Sequence, residues 1–192
     1  MELKGKHVGL AVTGSFCTFA KIEQEIRHLK ETGAVLHPIF SGSVQSTDSR
    51  FGDTGEFMDR ITAITEMKPI LKIEEAEPIG PKGYLDVLLI APCTGNTLGK
   101  LANGITDTSV TLAVKAHLRN ARPVVLAVST NDALANAGKN IGSLLNSKNI
   151  YLVPMRQDAP EQKPCSIVAD FSRLTDTVQS ALSARQLQPL FC

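Results

Sequence analysis

The sequence lacks several features that nucleic-acid-binding proteins need. Tryptophan is absent and aromatic residues make up only 5% of the chain, so stacking platforms for single-stranded bases cannot be assembled in number. Charge of one sign is also missing, because 20 lysines and arginines stand against 19 aspartates and glutamates and leave a formal net charge of +1. Such a balance gives no broad field that attracts a polyanion or an acidic lipid surface. We expect no nucleic-acid partner.

Signals for export, membrane insertion and zinc binding are missing as well. The apolar run near the amino terminus is too short for a signal peptide, and no stretch approaches the roughly 20 apolar residues that span a bilayer. The four cysteines are far apart, without a CxxC pair or a histidine at zinc-ligand spacing. We expect a cytoplasmic protein with reduced thiols, no membrane partner and no metal.

What the chain does have is enough apolar sequence for one core. Its 192 residues are 43% hydrophobic and 20% charged, a composition typical of a globular domain. We predict a single domain over residues 1–192, with a flexible tail at about 184–192.

Apolar runs alternate with helical patterns along the chain. The runs predict strands at 7–12, 34–40, 85–91, 123–128 and 150–153. Apolar residues at steps of three and four predict helices at about 16–31, 54–67, 107–119 and 133–146, one through Leu98 and Leu101, and a closing helix from Ile167 or Val168 to Leu182. Pro38 indicates an edge strand or a bulge. The alternation predicts an α/β fold with a three-layer, doubly wound parallel sheet.

In such sheets ligands bind beyond the carboxyl ends of the strands. The chemistry is therefore predicted in the turns that follow the strands, at residues 13–18, 41–52, 92–97 and 129–132.

The turn 13–18 joins the first strand to its helix. Free backbone N–H groups and the positive helix end suit a phosphate monoester there. The turn matches neither GxGxxG nor GxxxxGK[ST], which disfavours a dinucleotide or nucleoside triphosphate. In the alternative interpretation Ser15 or Thr18 only caps the helix, and the residues leave both interpretations open.

The turn 92–97 gathers small and hydrogen-bonding side chains, Pro-Cys-Thr-Gly-Asn-Thr. This composition lets a flat polar ring approach backbone amides closely. Alternatively, Thr94 caps the following helix and Asn96 bonds its own backbone.

Two segments carry a family resemblance. VTGSFCTF after the first strand and APCTGNTLGKLANGITD after the third resemble the flavin mononucleotide (FMN)-binding, cysteine-decarboxylase-like flavoproteins. The second segment is the more specific, and the resemblance covers about residues 5–183. It implies a Rossmann-like flavoprotein fold and a homo-oligomer, either a trimer or a dodecamer built of trimers.

The resemblance also assigns residues to an FMN site. Gly14, Ser15 and Phe16 would hold the phosphate or ribityl end, with Ser129 nearby. Asn131 matches a substrate-side asparagine and Asp107 an aspartate near the subunit contact. The side chains that would face the isoalloxazine or a substrate carboxylate are Cys93, Thr94, Asn96 and Thr97, and the cofactor set is completed by Thr13 and Ser41.

Departures from the family pattern disfavour decarboxylation of a cysteine. The family's histidine before the third strand is missing between Phe57 and Tyr84, and Ala135 stands in the place of a substrate-clamp methionine. The four histidines lie elsewhere: we expect core or edge imidazoles at His7 and His37 and solvated ones at His28 and His117.

The polar segment 154–166 follows the last predicted strand. Arg156 could pair with a dicarboxylate substrate through its planar fork, and Lys163 could add a point charge. The alternative is ordinary solvated surface. Thiol nucleophiles are disfavoured, because no histidine is predicted beside Cys17, Cys93 or Cys165, and we expect small buried packing thiols instead.

The resemblance finally implies an oxidoreductase subunit that helps to oxidise a cyclic dicarboxylate, with a flavin-type pocket. A separate partner chain would supply the NAD(P) site, because this chain has no dinucleotide fingerprint. No residue is assigned as catalytic. The alternatives are a non-catalytic scaffold that activates its partner after losing the flavin, and a flavin-dependent decarboxylase of another acid.

Overall fold

A computed structural model describes residues 3–47 and 53–192. The strands within them are β1 (His7–Val12), β2 (Val35–Phe40), β3 (Val87–Cys93), β4 (Val124–Thr130), β5 (Ile150–Leu152), β6 (Met155–Gln157) and β7 (Ile167–Ala169). The helices are α1 (Phe19–Glu31), α2 (Gly42–Ser46), α3 (Thr54–Thr65), α4 (Ile73–Ala76), α5 (Ile79–Lys82), α6 (Gly95–Ala102), α7 (Ser109–Leu118), α8 (Gly138–Leu145) and α9 (Leu174–Leu182).

The main part of the sheet is parallel, in the order β2-β1-β3-β4. The strand β4 then has two different neighbours. Its first half pairs with β5 in parallel, whereas its last residues, Ser129 and Thr130, pair with β7 in the antiparallel direction. The strand β6 adds to β7, also antiparallel. The sheet therefore divides at the carboxyl end of β4.

Two apolar layers cover the two faces of the sheet, because successive strand residues point to opposite sides. Leu10 and Val12 of β1 belong to a core with α1, α3 and α9. Ala11 belongs to a second core with α6, α7 and α8. The prediction of a three-layer α/β fold is confirmed.

The edge position predicted from Pro38 is also correct. The strand β2 stands at the end of the strand order, and Pro38 accepts a hydrogen bond from the backbone N–H of Ile70 at 2.8 Å. A proline carbonyl can accept such a bond although its nitrogen cannot donate one.

The antiparallel strands β6 and β7 were not predicted. Their residues fall in the segment expected to be a polar loop and at the start of the predicted closing helix. Strands of three residues are too short to show a period of two, so their pairing depends on the neighbouring strand.

Other boundaries differ from the prediction. The strand β3 extends through Pro92 and Cys93, so the predicted turn 92–97 begins inside a strand. The helix predicted from residue 133 starts at Gly138, after a series of turns. The connection between α3 and β3 contains the short helices α4 and α5.

The carboxyl-terminal segment runs along the edge of the sheet. The Gln186 side chain donates to the Leu152 carbonyl at 2.7 Å and accepts from the Leu152 N–H at 2.9 Å. The Met155 N–H donates to Leu190, and the Cys192 N–H donates to Met155. The flexibility predicted for residues 184–192, like the single domain, stays a prediction. No helix in the described part of the chain is long and apolar enough to cross a membrane.

Three of the four histidines, His7, His37 and His117, lie toward the amino ends of the strands, with one difference from expectation. His7 Nδ1 and His37 Nε2 lie 2.9 Å apart, and their rings stack. His117, predicted to be solvated, is only 1% exposed, because α7 is covered by β2, α4 and α5. Its Nε2 donates to the Pro123 carbonyl at 3.1 Å, and burial lowers the pKa of His117 to about 4.

Candidate functional site

A cavity of about 560 Å³ lies at the carboxyl edge of the sheet. The turns after β1, β3 and β4 reach it, and the segment that contains β7 closes its remaining side. We call it the main cavity. Six of its 15 lining residues carry hydroxyl groups, namely Ser15, Thr18, Thr94, Ser129, Thr130 and Ser166.

Thr13 connects two of these turns from beneath the main cavity. Its hydroxyl donates to the Pro92 carbonyl at 2.7 Å and accepts from the Thr94 N–H at 3.1 Å. The side chain is 1% exposed. Thr13 therefore fixes the distance between the turns and does not itself line the cavity.

Ser15 and Ser129 join the turns after β1 and β4. Their hydroxyl oxygens are 2.8 Å apart, and both side chains line the main cavity. Gly14 packs closely beside them: a Cβ there would lie 2.9 Å from Ser43 Oγ and 3.3 Å from the Phe16 ring. Phe16 forms part of the apolar wall.

Thr94 caps α6, as the alternative interpretation expected. Its hydroxyl accepts from the Thr97 N–H at 3.4 Å and lies 3.1 Å from Thr97 Oγ1. Thr94 also lines the main cavity, so capping and ligand contact are compatible. Ser15, by contrast, makes no side-chain cap to the turn that opens α1.

Gly95 is the tightest position of the site. A Cβ at Gly95 would lie 2.5 Å from Thr130 Oγ1 and 2.9 Å from Asp132 Oδ1. The Thr130 hydroxyl donates to Asp132 at 2.5 Å. Only glycine leaves room for this pair beside the first turn of α6.

Two other predicted cofactor residues are enclosed by protein. Cys93 is fully buried, and burial raises the pKa of its thiol far above the usual range. It is a packing thiol, as predicted. Cys17 is exposed and Cys165 is half-buried, so the expectation of buried thiols is wrong for these two. Thr97 is also buried.

Ser41 begins the turn after β2 and lies 2.9 Å from the Ser43 hydroxyl. The main cavity reaches neither residue. Residues 48–52 of the predicted turn 41–52 lie outside the described residues.

Three different cavities hold the two predicted substrate residues, Asn131 and Arg156, and the predicted cofactor residue Asn96. Asn131 lines the main cavity. Asn96 lines a second cavity, between α6 and α8, and Arg156 lines a groove beside α1. The groove shares Cys17, Thr18, Asp158, Lys163 and Val168 with the main cavity.

Sequence reasoning missed an ion pair at the mouth of the main cavity. Lys163 Nζ lies 3.1 Å from Asp158 Oδ2, and a hydrogen bond from Ser166 together with Lys163 lowers the pKa of Asp158. It also missed Thr130 and Asp132, although both belong to the predicted turn 129–132. The pairing of β7 with β4 brings Ser166 to this turn, and no local pattern signals that contact.

The lining of the main cavity fits FMN. Its volume is in the range of sites for small molecules and cofactors. Hydroxyl and amide groups suit a phosphate and a polyol, the Lys163–Asp158 ion pair lies at the mouth, and Phe16, Ile167 and Val168 provide apolar surface for a ring. Among the described residues, no group of three or more His, Cys, Asp or Glu side chains could hold a metal ion.

Comparisons with known proteins agree with this geometry. The model of the family described as Flavoprotein matches residues 1–181. The B subunit of dipicolinate synthase from Bacillus subtilis (strain 168) is 46% identical over 189 residues, which cover 98% of this chain and 94% of that protein.

Solved structures give the same result. The crystal structure of the dipicolinate synthase B subunit from Bacillus halodurans superposes with a TM-score of 0.92 and 44% identity, over 100% of this chain and 98% of that one. A PPC decarboxylase mutant complexed with pantothenoylaminoethenethiol, 21% identical, has a TM-score of 0.67 over 92% of this chain and 97% of its own, which indicates a shared fold. The resemblance drawn from the two sequence segments is thus confirmed: the chain belongs to the Flavoprotein family.

Proposed function

We propose that this chain acts as the B subunit of a dipicolinate synthase, a complex that oxidises dihydrodipicolinate, or its hydrated precursor, to dipicolinate. The observation that carries the proposal is the 46% identity with the Bacillus subtilis protein over 98% of the chain. The hydroxyl-lined main cavity at the carboxyl edge of the sheet supports it, because open α/β sheets bind ligands at that edge.

In this proposal the main cavity holds FMN. Ser15 and Ser129 offer hydroxyl groups to the phosphate and ribityl groups, whereas the Thr18 hydroxyl donates to the Ser15 carbonyl at 2.7 Å. Lys163, which pairs with Asp158 at 3.1 Å, would lie near the phosphate at the mouth of the cavity. Asn131 faces the same space and would orient the reacting ring. When bound, a flavin supplies a ring that can accept a hydride. Gly14, Phe16 and Thr94 shape the walls, whereas Thr13, Cys93 and Thr97 support the site from inside the protein.

A second protein, the A subunit of dipicolinate synthase, would bring the NAD(P) site. This chain has no dinucleotide fingerprint after β1, so a pyridine nucleotide needs another binding fold. We further propose that the chain assembles as a trimer or a dodecamer and works in the cytoplasm of the sporulating mother cell. In the alternative arrangement that the sequence predicts, a substrate carboxylate contacts Arg156, which lines the separate groove beside α1.

The first experiment measures this chain and the A subunit separately and then together. Formation of dipicolinate is followed by its absorbance, with and without added FMN. The proposal expects product from the mixture, and a rate that rises when FMN is added to flavin-free protein. Full-rate product formation by the A subunit without this chain would contradict a role for this chain in the reaction.

The visible spectrum of the purified chain separates two versions of the function. Flavin bands that are released on denaturation support a cofactor-binding role. A colourless protein that still accelerates its partner supports a non-catalytic scaffold, which the missing family histidine between Phe57 and Tyr84 favours. Release of carbon dioxide by the isolated chain would instead support a decarboxylase.

A further inference from the structure

A second cavity, of about 460 Å³, lies between α6 and α8. It shares Gly95 with the main cavity. We call it the amide cavity after its polar lining, which is formed by Asn96, Lys100, Asn103, Asp132, Asn136, Lys139 and Asn140. Four of the eight asparagines in the sequence converge here, so the amide groups are concentrated at one place.

Most of these amides have unused hydrogen-bonding capacity. Asn103 Nδ2 donates to the Gly99 carbonyl at 2.8 Å. Across residues 3–47 and 53–192, the side-chain amides of Asn96, Asn136 and Asn140 make no hydrogen bond to protein. Asn96 and Asn136 are exposed and Asn140 is half-buried, so the two N–H donors of each amide are available to a ligand.

Of the two lysines that line the amide cavity, Lys139 is the one whose charge is not neutralised by an ion pair among the described residues. Lys100 Nζ lies 2.8 Å from both carboxylate oxygens of Asp107, so its charge is neutralised within the protein. Lys139 has no ion pair within the described segments. A bound anion would gain a charge-assisted hydrogen bond from it.

Asp132 is the only carboxylate among the residues that line the amide cavity. The Thr130 hydroxyl donates to it at 2.5 Å from the side of the main cavity. A carboxylate in this position accepts a hydrogen bond from a ligand N–H and repels a ligand lone pair. The amide cavity thus combines several donors and one cation with a single acceptor.

We infer that the amide cavity binds a small cyclic dicarboxylate, with Lys139 and the asparagine amides on the carboxylates and Asp132 on a protonated ring nitrogen. The choice of a dicarboxylate rests on the proposed function. A reduced ring whose imine nitrogen is protonated fits all three groups. An aromatic pyridine ring has a lone pair where that proton was, so Asp132 opposes the oxidised ligand.

The groove that holds Arg156 is the competing site for the same ligand. Lys21 and Arg156 face Glu25 and Asp170 there, and burial together with Asp170 raises the pKa of Glu25. Such a mixture of charges provides less attraction for two carboxylates than the amide cavity does. The two sites predict opposite results for substitutions at Lys139 and Arg156.

The test is calorimetric titration of the full-length chain and its variants with pyridine-2,6-dicarboxylate in metal-free buffer near pH 7.5. We expect Lys139→Gln to raise the Kd by about tenfold, because a charged hydrogen bond is lost. Asp132→Asn is expected to lower the Kd several-fold, because the amide can donate to the pyridine nitrogen. Lys148→Gln, at an exposed lysine just beyond α8, and Arg156→Gln should leave the Kd unchanged.

Tighter binding by Asp132→Asn cannot arise from misfolding, so it keeps the test decisive if another variant is unstable. Pyridine-2-carboxylate, with one carboxylate, should bind at least about tenfold more weakly to the parent chain. The inference is overturned if the parent chain does not bind the dicarboxylate, or if Arg156→Gln weakens binding while Lys139→Gln does not.

Titration of the same variants with FMN separates this inference from the proposed cofactor. A chain that binds FMN but no dicarboxylate refutes the amide-cavity site alone. A chain that binds the dicarboxylate through Lys139 without binding FMN refutes the flavin proposal and leaves the amide-cavity site standing.

Discussion

The carboxyl and amino edges of the sheet are built from different chemistry. At the carboxyl edge, small hydroxyl side chains such as Ser15 and Ser129 bond one another around a cavity. At the amino edge, the His7 and His37 rings bond each other, the His117 ring donates to the Pro123 carbonyl, and the His7 backbone N–H donates to Asp86. None of the four histidines lines the main cavity, the amide cavity or the Arg156 groove.

This contrast separates binding from pH-dependent stability. The hydroxyl groups at the carboxyl edge do not ionise near neutral pH, so the hydroxyl groups that the protein presents there do not change with mild acidification. The imidazoles at the amino edge can take up protons, and burial lowers the pKa of both His37 and His117. We expect substitutions at the carboxyl edge to leave the pH dependence of the free energy of unfolding unchanged. Substitutions at the amino edge should leave FMN affinity unchanged.

The largest effect is expected from Gly95→Val at the carboxyl edge. The new side chain would collide with Thr130 and Asp132, so FMN affinity should fall by about 100-fold, and the free energy of unfolding by about 1–3 kcal/mol. Flavin fluorescence titration and urea unfolding measure the two quantities.

Gly142→Ala is the matched control for Gly95→Val. No atom lies within 4 Å of a Cβ at Gly142, inside α8, so alanine there should add about 0.5–1 kcal/mol to stability without changing FMN affinity. Unchanged FMN affinity in Gly95→Val would contradict the proposed position of the cofactor.

The next effect concerns pH and belongs to the amino edge. Because the folded-state pKa of His117 lies near 4 and its ordinary value is 6.5, the unfolded chain binds more protons between these values. As far as His117 is concerned, the free energy of unfolding is therefore highest above about pH 6.5. It falls by up to about 3 kcal/mol as the pH decreases toward 4. Urea unfolding at pH 7.5 and pH 5 measures the decline, and His117→Gln should reduce it.

His28→Gln controls for removal of a histidine, since His28 is exposed. That variant should keep the decline of the parent chain. If both variants reduced the decline in the free energy of unfolding equally, His117 would not be the main source of that decline. FMN affinity should stay constant in both variants at pH 7.5.

A moderate effect is expected from the hydroxyl pair at the carboxyl edge. Ser15→Ala and Ser129→Ala should each weaken FMN binding by about tenfold, because one hydrogen-bond partner is lost. The double variant should lose less than the product of the two, since these hydroxyls lie 2.8 Å apart and are coupled.

Ser147→Ala is the control for the hydroxyl pair. Its hydroxyl donates to the Ser143 carbonyl, just beyond α8 and away from the main cavity, so FMN affinity should not change. Independent losses in the double variant would argue against a shared contact with the ligand.

The smallest effect is expected from Lys6→Gln at the amino edge. Lys6 Nζ lies 3.5 Å from Asp86, and the two side chains are 44% and 32% exposed. A solvent-exposed pair of this kind contributes about 0.5 kcal/mol or less, and salt should remove the difference from the parent chain. A larger loss in thermal unfolding that persists at high salt would assign Lys6 a role beyond this ion pair.

The sheet was predictable because its parallel strands are continuous apolar runs between turn residues. His7–Val12 agrees with the prediction to the residue, and Val35–Phe40 to within one. Buried strands with helices on both faces leave this pattern in any sequence. The short strands Met155–Gln157 and Ile167–Ala169 leave no comparable pattern, because their pairing with β4 and with each other specifies them.

The site was predictable in part for the same reason. Turns at the carboxyl ends of parallel strands must meet at one edge, so Ser15 and Ser129 were expected to lie close together, and they do. Asn131 and Arg156 were expected to contact the substrate, and Asn96 the isoalloxazine or a substrate carboxylate. These three residues line three separate cavities instead. The direction of a side chain within a turn depends on contacts from distant segments, which a sequence pattern does not record.

The sequence alone determined the layers of the fold and the edge at which the main cavity lies, because apolar periodicity and the family segments are local properties of the chain. Tertiary structure alone decided that Thr13 and Cys93 support the site from inside, that His117 is buried, and that Thr130 and Asp132 face Gly95. These are long-range packing results: each depends on which distant segment fills the space beside the residue, and the same local sequence could be solvated in another fold.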